Sequence, residues 1–281
     1  MMRSLYSGVT GLRNHQTRMD VIGNNIANVN TVGFKSSRVI FQDIYSSMIK
    51  TASAADATNG GTNPQQVGLG VSIAVIDVLH TKGAPQYTGE PLDFSIDGDG
   101  YFTLSDGGRE TYTRAGNFYI GVNDKLVSAN GAFIQGFELD ATGNIVLDAV
   151  TGDPILEDIY IDPSYYDVTI DSTGAVIGLD SVTNNKTILG RVALAMFSNV
   201  SGLEKNGQNA YSSTVSSGTA TFAAPGSGGS GSLNPGTLEM SNVDLANEFT
   251  DMIVTQRGFQ ANSRIITTSD TMLEELVNLK R

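Results

Sequence analysis

Residues 241–281 constrain this chain more than any other stretch. Leu245, Met252, Phe259, Ile266 and Leu273 stand seven apart, and Phe249 and Val277 fall on the interleaved positions. The stretch has no proline and one glycine, Gly258. A seven-residue apolar repeat predicts a helix with one seam made for another helix. Ser241 is the expected N-cap, with Asp244 three residues later completing a capping box. At 1.5 Å per residue the rod would run roughly 55–60 Å, too long to lie across a small globular core. Gln256, Ser263 and Asp270 make the interleaved row half polar. Such a helix is weak alone and needs a partner.

The other end of the chain carries the same period. Leu5, Leu12, Met19 and Ile26 are seven apart, with Val9 and Ile22 beside them. Gly8, Gly11 and Gly23 each weaken this helix by about 1 kcal/mol relative to alanine. Two terminal helices of matching period, neither stable alone, are expected to pair with each other or with copies in neighbouring subunits. The alternative is a helical hairpin that caps a monomer. Residues 24–35 follow as NNIANVNTVGFK. Asparagine tolerates left-handed backbone and bonds its own chain, and Gly33 supplies a positive φ, so this run reads as a sharp helix exit rather than as chemistry. Residues 37–49 are expected as a short helix or an extended arm, and the polar stretch 52–66 as a loop or linker.

From Leu69 the apolar period changes to two, with Val71, Ile73, Val75 and Leu79. Strands are expected at 69–79, 94–96, 101–104, 110–114, 117–120, 132–139, 155–161, 167–170, 175–179, 187–189 and 191–197. Turn signals separate them: Asp97-Gly98, Asp106-Gly107-Gly108, Asn123-Asp124, Asn130-Gly131 and Thr142-Gly143-Asn144. This density of short strands indicates a barrel or sandwich. Residues 216–235, SSGTATFAAPGSGGSGSLNP, have the composition of a flexible tether. The expected class is α+β: long, coiled-coil-like terminal helices flanking a mainly antiparallel all-β domain. The expected division is 1–30 plus 241–281 as a helical assembly domain, 31–68 as an extended connection, 69–215 as the β domain and 216–240 as a flexible return linker.

Little in the chain asks for catalysis. A net charge of −12 argues against a nucleic-acid partner, and the few cations are too dispersed for an anionic membrane. The longest apolar run, 192–197, is far too short to span a bilayer. The absence of cysteine removes disulfides, thiolate nucleophiles and Cys-based metal sites. Met1-Met2-Arg3 leads into no apolar segment, so export would use a route that reads no cleaved signal. His15 and His80 have no readable nucleophile beside them and are expected to be structural or solvated. Asp97-Gly98-Asp99-Gly100 lacks the further ligands of a calcium loop and reads as a turn. Asp140, Asp171 and Asp180 sit in turn sequences and are weak metal candidates. The glycines of 226–231 follow no strong strand and precede no lysine, so they read as linker. No catalytic residue, cofactor or metal is expected.

Both ends nonetheless carry long specific motifs. Ser7-Gly8, Gly11-Leu12, Met19-Asp20 and the run from Asn24 to Lys35 resemble the N-terminal signature of the flagellar rod, hook and hook-associated family. Leu238-Glu239-Met240-Ser241-Asn242-Val243-Asp244-Leu245, Phe249, Met252-Ile253, Gln256-Arg257, Phe259-Gln260, Asn262-Ser263 and Met272-Leu273 resemble its C-terminal signature. Between them, Gln66-Val67-Gly68-Leu69-Gly70-Val71, Asp97-Gly98-Asp99-Gly100-Tyr101-Phe102 and Tyr112-Thr113-Arg114-Ala115-Gly116-Asn117-Phe118 are also similar to the family.

The resemblance implies a structural subunit, not an enzyme, that polymerises with itself into a tube. Terminal helices would form an inner layer and the β domain an outer one. Neighbouring rod, hook-cap and hook–filament junction proteins, and type III export of an unfolded chain without a cleaved signal, are implied with it. The implied location is the flagellum, in its extracellular hook or basal body, with no nucleic-acid partner and no membrane insertion. Within the family, Gly33-Phe34-Lys35 leading through Phe41-Gln42-Asp43 to Asn63-Pro64-Gln65-Gln66 is hook-like, so a flexible hook subunit is the expectation and a distal rod subunit the alternative. The chain is short for a hook protein and shows no inserted outer domain. The motif positions carried over are Asn24, Asn25, Asn28, Asn30, Thr31, Gly33 and Phe34. The expected assembly residues are Leu5, Val9, Leu12, Met19, Ile22, Ile26, Leu245, Phe249, Met252, Phe259, Ile266 and Leu273. A reading of another class, an extracellular β binding or carbohydrate-acting protein on a helical stalk, predicts small closed oligomers instead.

Overall fold

The computed structural model of the chain describes residues 2–54, 60–140, 145–146, 154–181 and 185–279. The turn expected at 142–144 and the middle of the polar loop, 55–59, lie outside them. The chain divides into two units, one of Met1–Ala27, Ser37–Leu79 and Val243–Arg281, the other of Asn28–Ser36 and His80–Asn242. Both termini therefore belong to one unit, and the chain enters the other twice.

In the first unit, the two heptad segments become α1 (Met2–Ala27) and α2 (Leu245–Asn278). They run antiparallel, with Gly8 beside Asn262 and Ile266 at one end and Arg18 paired with Asp251 at 3.1 Å towards the other. The N-cap of α2 is Asp244, not Ser241. The Asp244 carboxylate accepts from the N–H groups of Ala246 at 2.9 Å and Asn247 at 3.4 Å. A carboxylate at this position satisfies two orphan donors and suits the positive end of the helix dipole, so the helix begins after it. At 34 residues α2 is about 51 Å long.

The stretch after α1 is extended rather than helical. Strands β1 (Ser37–Asp43), β2 (Ser46–Lys50), β3 (Gln65–Gly68) and β4 (Val71–Val78) form one long two-stranded ribbon. Pairing runs from Ser37 opposite Val78 to Asp43 opposite Val71, and continues from Ser46 opposite Gly68. Val39 and Ile40 face Ile76 and Val75 across the ladder. These cross-strand β-branched pairs favour strand over helix.

The second unit is all β. It opens with β5 (Pro85–Tyr87), β6 (Phe94–Asp97), β7 (Tyr101–Asp106), β8 (Arg109–Thr113), β9 (Phe118–Ile120), β10 (Leu126–Ser128) and β11 (Phe133–Phe137). Then come β12 (Leu156–Asp158), β13 (Tyr165–Ile170), β14 (Ala175–Asp180), β15 (Lys186–Val192) and β16 (Leu194–Met196). The last are β17 (Glu204–Gly207), β18 (Ala210–Ser212), β19 (Thr221–Ala223), β20 (Ser232–Pro235) and β21 (Thr237–Glu239). The main antiparallel sheet runs β13-β14-β15-β11-β7-β8-β18-β17. Its centre, β7, is buried on both faces: Phe102 and Leu104 enter one apolar cluster, Tyr101 the other. The first cluster is anchored by Phe94, Phe102 and Phe118, whose rings lie 4.8 to 5.4 Å apart in stacked and edge-to-face pairs. The class is α+β.

The segment 216–240, expected as a flexible return linker, is part of this unit. It supplies β19 to β21, which pair with β16, β6 and β5. Leu233 is fully buried. Gly231 serves close approach, whereas Gly218, Gly226, Gly228, Gly229 and Gly236 supply positive φ. A Cβ on Gly98 would stand 2.7 Å from Gly231 Cα, and the Gly231 N–H donates to Asp99 O at 2.8 Å. Composition reported the glycines correctly, but it could not report that one buried leucine, one backbone crossing at Gly231 and three strand ladders pin the segment.

Candidate assembly face

The hairpin of α1 and α2 has an inner seam. On α2, Met252, Phe259, Ile266 and Leu273 are half-buried. Their companion row is Glu248, Thr255, Asn262 and Ser269, not Phe249 and its heptad mates. Thr255 and Ser269 are the two buried residues of the helix. The companion row is small and polar because the helices come close. A Cβ on Gly11 would lie 2.6 Å from Asn262 Nδ2, one on Gly8 would lie 3.2 Å from Ile266 Cγ1, and one on Gly258 would meet the His15 ring at 2.7 Å. The glycines that weaken the isolated helices are thus what let them approach. On α1, Ile22 is buried and Leu5, Leu12, Met19 and Ile26 are half-buried.

Three of the expected assembly residues point elsewhere: Val9, Leu245 and Phe249 are exposed. They belong to apolar rows that nothing in the unit covers. On α2, Val254, Ile265, Met272 and Leu276 are each at least 45% exposed. Their spacing of 11, 7 and 4 residues places them on one helix face. Leu245, Phe249 and Ile253, four apart, form a second exposed row, and Met2, Tyr6 and Val9 a third on α1. Burying four half-exposed side chains of the first row stabilises a contact by roughly 3–6 kcal/mol. An apolar face this long on a water-exposed helix is a candidate protein contact.

The motif asparagines and glycine fix the backbone. Asn25 is buried; its amide donates to Ser37 O at 2.8 Å and Glu248 Oε1 at 2.9 Å, and its Oδ1 accepts from the Ser37 N–H at 3.0 Å. It ties the end of α1 to β1 and to α2. Burial raises the Glu248 carboxyl above its usual range against the pull of that bond to Asn25. In the second unit the Thr31 hydroxyl donates to Asn28 Oδ1 at 3.1 Å, while Asn30 is exposed and Phe34 buried. Gly33 has φ +68°, and a Cβ there would stand 2.6 Å from Ala115 N. Gly33→Ala should therefore lose about 2–3 kcal/mol, read as a lower urea midpoint at unchanged slope. An unshifted midpoint would show that the turn relaxes freely.

Three motif runs converge on a buried charge cluster that sequence reasoning missed. Lys35, Glu239 and Arg114 are 0%, 1% and 3% exposed. Lys35 Nζ donates to Glu239 Oε1 at 2.6 Å and to Thr81 O at 2.7 Å. The same Oε1 accepts from the Gly83 N–H at 2.9 Å, and Arg114 Nη1 reaches Glu239 Oε2 at 3.4 Å. The Gly33 N–H donates to the Glu239 carbonyl at 2.8 Å. Burial lowers the Lys35 pKa, with Glu239 opposing. The signal available was the presence of one lysine, one arginine and one glutamate inside otherwise apolar or glycine-rich motif runs, in a chain only 16% charged.

No group of three or more His, Asp or Glu able to hold a metal occurs among the described residues. No helix among them is long and apolar enough to cross a membrane. His15 packs edge-on to Phe41, and His80 against Tyr101 and Tyr211.

Three family models match. "Flagella basal body rod protein" covers residues 5–35, "Flagellar hook protein FlgE/F/G D1 domain" covers 95–178, and "Flagellar basal body rod FlgEFG protein C-terminal" covers 234–279. The flagellar basal-body rod protein FlgG of Bacillus subtilis is 50% identical over 282 residues, spanning all of both chains. That of Caulobacter vibrioides is 36% identical over 284 residues, 99% of this chain and 100% of its own. The flagellar hook protein FlgE of Borreliella burgdorferi is 33% identical over a 441-residue alignment spanning both chains. The chain belongs to the flagellar basal-body rod and hook family, whose members are structural subunits rather than enzymes.

Proposed function

We propose that the chain is a subunit of the distal flagellar rod, the stiff shaft, and not of the flexible hook that its motifs first suggest. The observation that carries this is the end-to-end match to rod proteins without large gaps. Aligning the hook relative takes 441 positions, so 160 (441 less 281) have no counterpart here, whereas the Bacillus rod protein aligns over 282. The ribbon of β1 to β4 supports the reading. Ile44, Tyr45, Met48 and Ile49 are all at least half exposed along it. A two-stranded ribbon is marginal alone, and covering these side chains with a neighbouring subunit would stiffen the joint between them.

The helical unit carries self-assembly through its uncovered rows. Neighbouring axial proteins and the flagellar export machinery are the further partners. An open, head-to-tail contact that does not close extends into a filament. Electron microscopy of polymers grown from purified full-length protein separates the two readings. Straight, rigid tubes are the expected result, and tubes that curve smoothly would return the chain to the hook. Small closed oligomers at every concentration would favour a stalked binding protein.

A further inference from the structure

His15 on α1 sits where three elements of the helical unit meet. Across the seam, a Cβ on Gly258 of α2 would stand 2.7 Å from the His15 Cε1. The ring also meets Phe41 of β1 edge-on, with centroids 5.8 Å apart. The preceding residue ties the helix to the ribbon, Asn14 Nδ2 donating to Val71 O of β4 at 2.6 Å. A change at this ring is therefore felt by α1, α2 and β1 together.

The site suits a neutral imidazole and penalises a charged one. His15 Nδ1 is shut off from solvent and has no hydrogen-bond partner among the described residues. Thr255 Oγ1 on α2 is likewise buried and unpaired, so it serves Nδ1 as no acceptor. The imidazolium carries a hydrogen on both nitrogens, whichever one bears it in the neutral ring. Charging the ring thus places an unpaired N–H at Nδ1 in either case. Arg18, one turn further along α1, has its guanidinium carbon 5.9 Å from the centre of the same Phe41 ring. Like charges three residues apart on a helix repel.

No carboxylate offsets this. Asp251 on α2 is held by Arg18 at 3.1 Å, and Asp77 on β4 by Arg38 of β1 at 3.4 Å. Arg13 on α1, Arg257 on α2 and Asp43 on β1 complete the charges near these contacts in sequence. Of all these only Arg18 bears on the ring. Burial first and Arg18 second hold the His15 pKa below 6.5.

We propose that His15 is an acid-sensitive latch, whose protonation loosens α1 from α2 and β1 in the free subunit. The latch is independent of whether the chain builds rod or hook. Its sign follows from linkage. The open hairpin takes up the proton more readily than the closed one, so the closed form loses stability as pH falls below about 6.5. Glu248 on α2 acts the other way: burial raises its carboxyl, so proton uptake there favours the closed hairpin as pH falls towards 4.5.

Proton NMR of the full-length protein below its polymerisation threshold tests the latch directly. The chain has two histidines, and His80→Phe assigns the signal of His15 by removing the other. The His15 ring should titrate below 6.5. Hydrogen exchange then reads the hairpin. Between about pH 7.5 and about pH 5.5, opening of α1 and α2 amides, corrected for intrinsic exchange, should rise roughly fivefold, the equivalent of one unmade hydrogen bond. Glu248→Gln should enlarge that rise. His15→Gln should abolish it, while leaving the pH response of the β-unit amides as it was. If His15→Gln fails to close the hairpin at any pH, the ring titration of the unaltered chain still decides. A His15 pKa at or above 6.5, no rise in helix opening even in Glu248→Gln, or a rise kept in full by a folded His15→Gln would each overturn the proposal.

Discussion

Glu239→Ala should destabilise the β unit by about 3–5 kcal/mol, a large share of any single domain's stability. The reasoning is one of desolvation. Lys35 is 0% exposed and has two oxygens to meet, Glu239 Oε1 and Thr81 O. Removing the carboxylate leaves its ammonium buried with one neutral partner. It also strips the Gly83 N–H of its acceptor and Arg114 of its counter-charge. Glu239→Gln keeps an oxygen for Gly83 and should lose less. A surface pair of the same unit supplies the control: the Lys82 and Asp97 side chains meet while 38% and 50% exposed, so Lys82→Ala should cost at most about 1 kcal/mol. The chain has no tryptophan and ten tyrosines. Urea unfolding followed by tyrosine fluorescence and far-UV circular dichroism therefore reads the effect. If Glu239→Ala and Lys82→Ala shift the midpoint equally, water reaches the cluster on replacement and the lock is not built from buried charge.

That cluster also shows where the sequence stopped being legible. The heptads of α1 and α2, the period-two onset near Leu69 and most strands from β6 to β16 are local signals, and the structure repeats them. The companion row of the α2 seam was misplaced because heptad reading rewards apolar residues. The seam here is set by Gly8, Gly11 and Gly258, which allow Thr255, Asn262 and Ser269 inside. The 216–240 segment was misread because its ladder partners, β5, β6 and β16, lie more than a hundred residues away for β20 and β21. Lys35, Arg114 and Glu239 come from three distant motifs, and only the fold brings them together. The motif residues were recognisable as a family signature, yet their physical task, closing one buried cluster, is non-local.

The largest effect on assembly should come from Val254→Asp combined with Met272→Asp. Both side chains are about half exposed on the uncovered face of α2. Neither appears among the close contacts of the glycines where α1 and α2 touch. The hairpin should therefore fold, with a helical circular-dichroism signal like that of the unaltered chain. A subunit contact over that face would have to bury two unpaired carboxylates, each costing several kcal/mol, or open to water. Even 3 kcal/mol raises the concentration needed for polymerisation by more than about a hundredfold. Sedimentation should find soluble subunits where the unaltered chain pellets as tubes. Ile266→Asp is the companion measurement. Ile266 lies 3.2 Å from where a Gly8 Cβ would be, on the inner seam. It should abolish polymers too, but by opening the hairpin, with helical signal lost and the β unit still folded. The two variants thus separate a face that binds neighbours from a seam that holds the subunit together. Normal tubes from Val254→Asp with Met272→Asp would move the assembly contact to the rows of Phe249 and Ile253 or of Met2 and Tyr6.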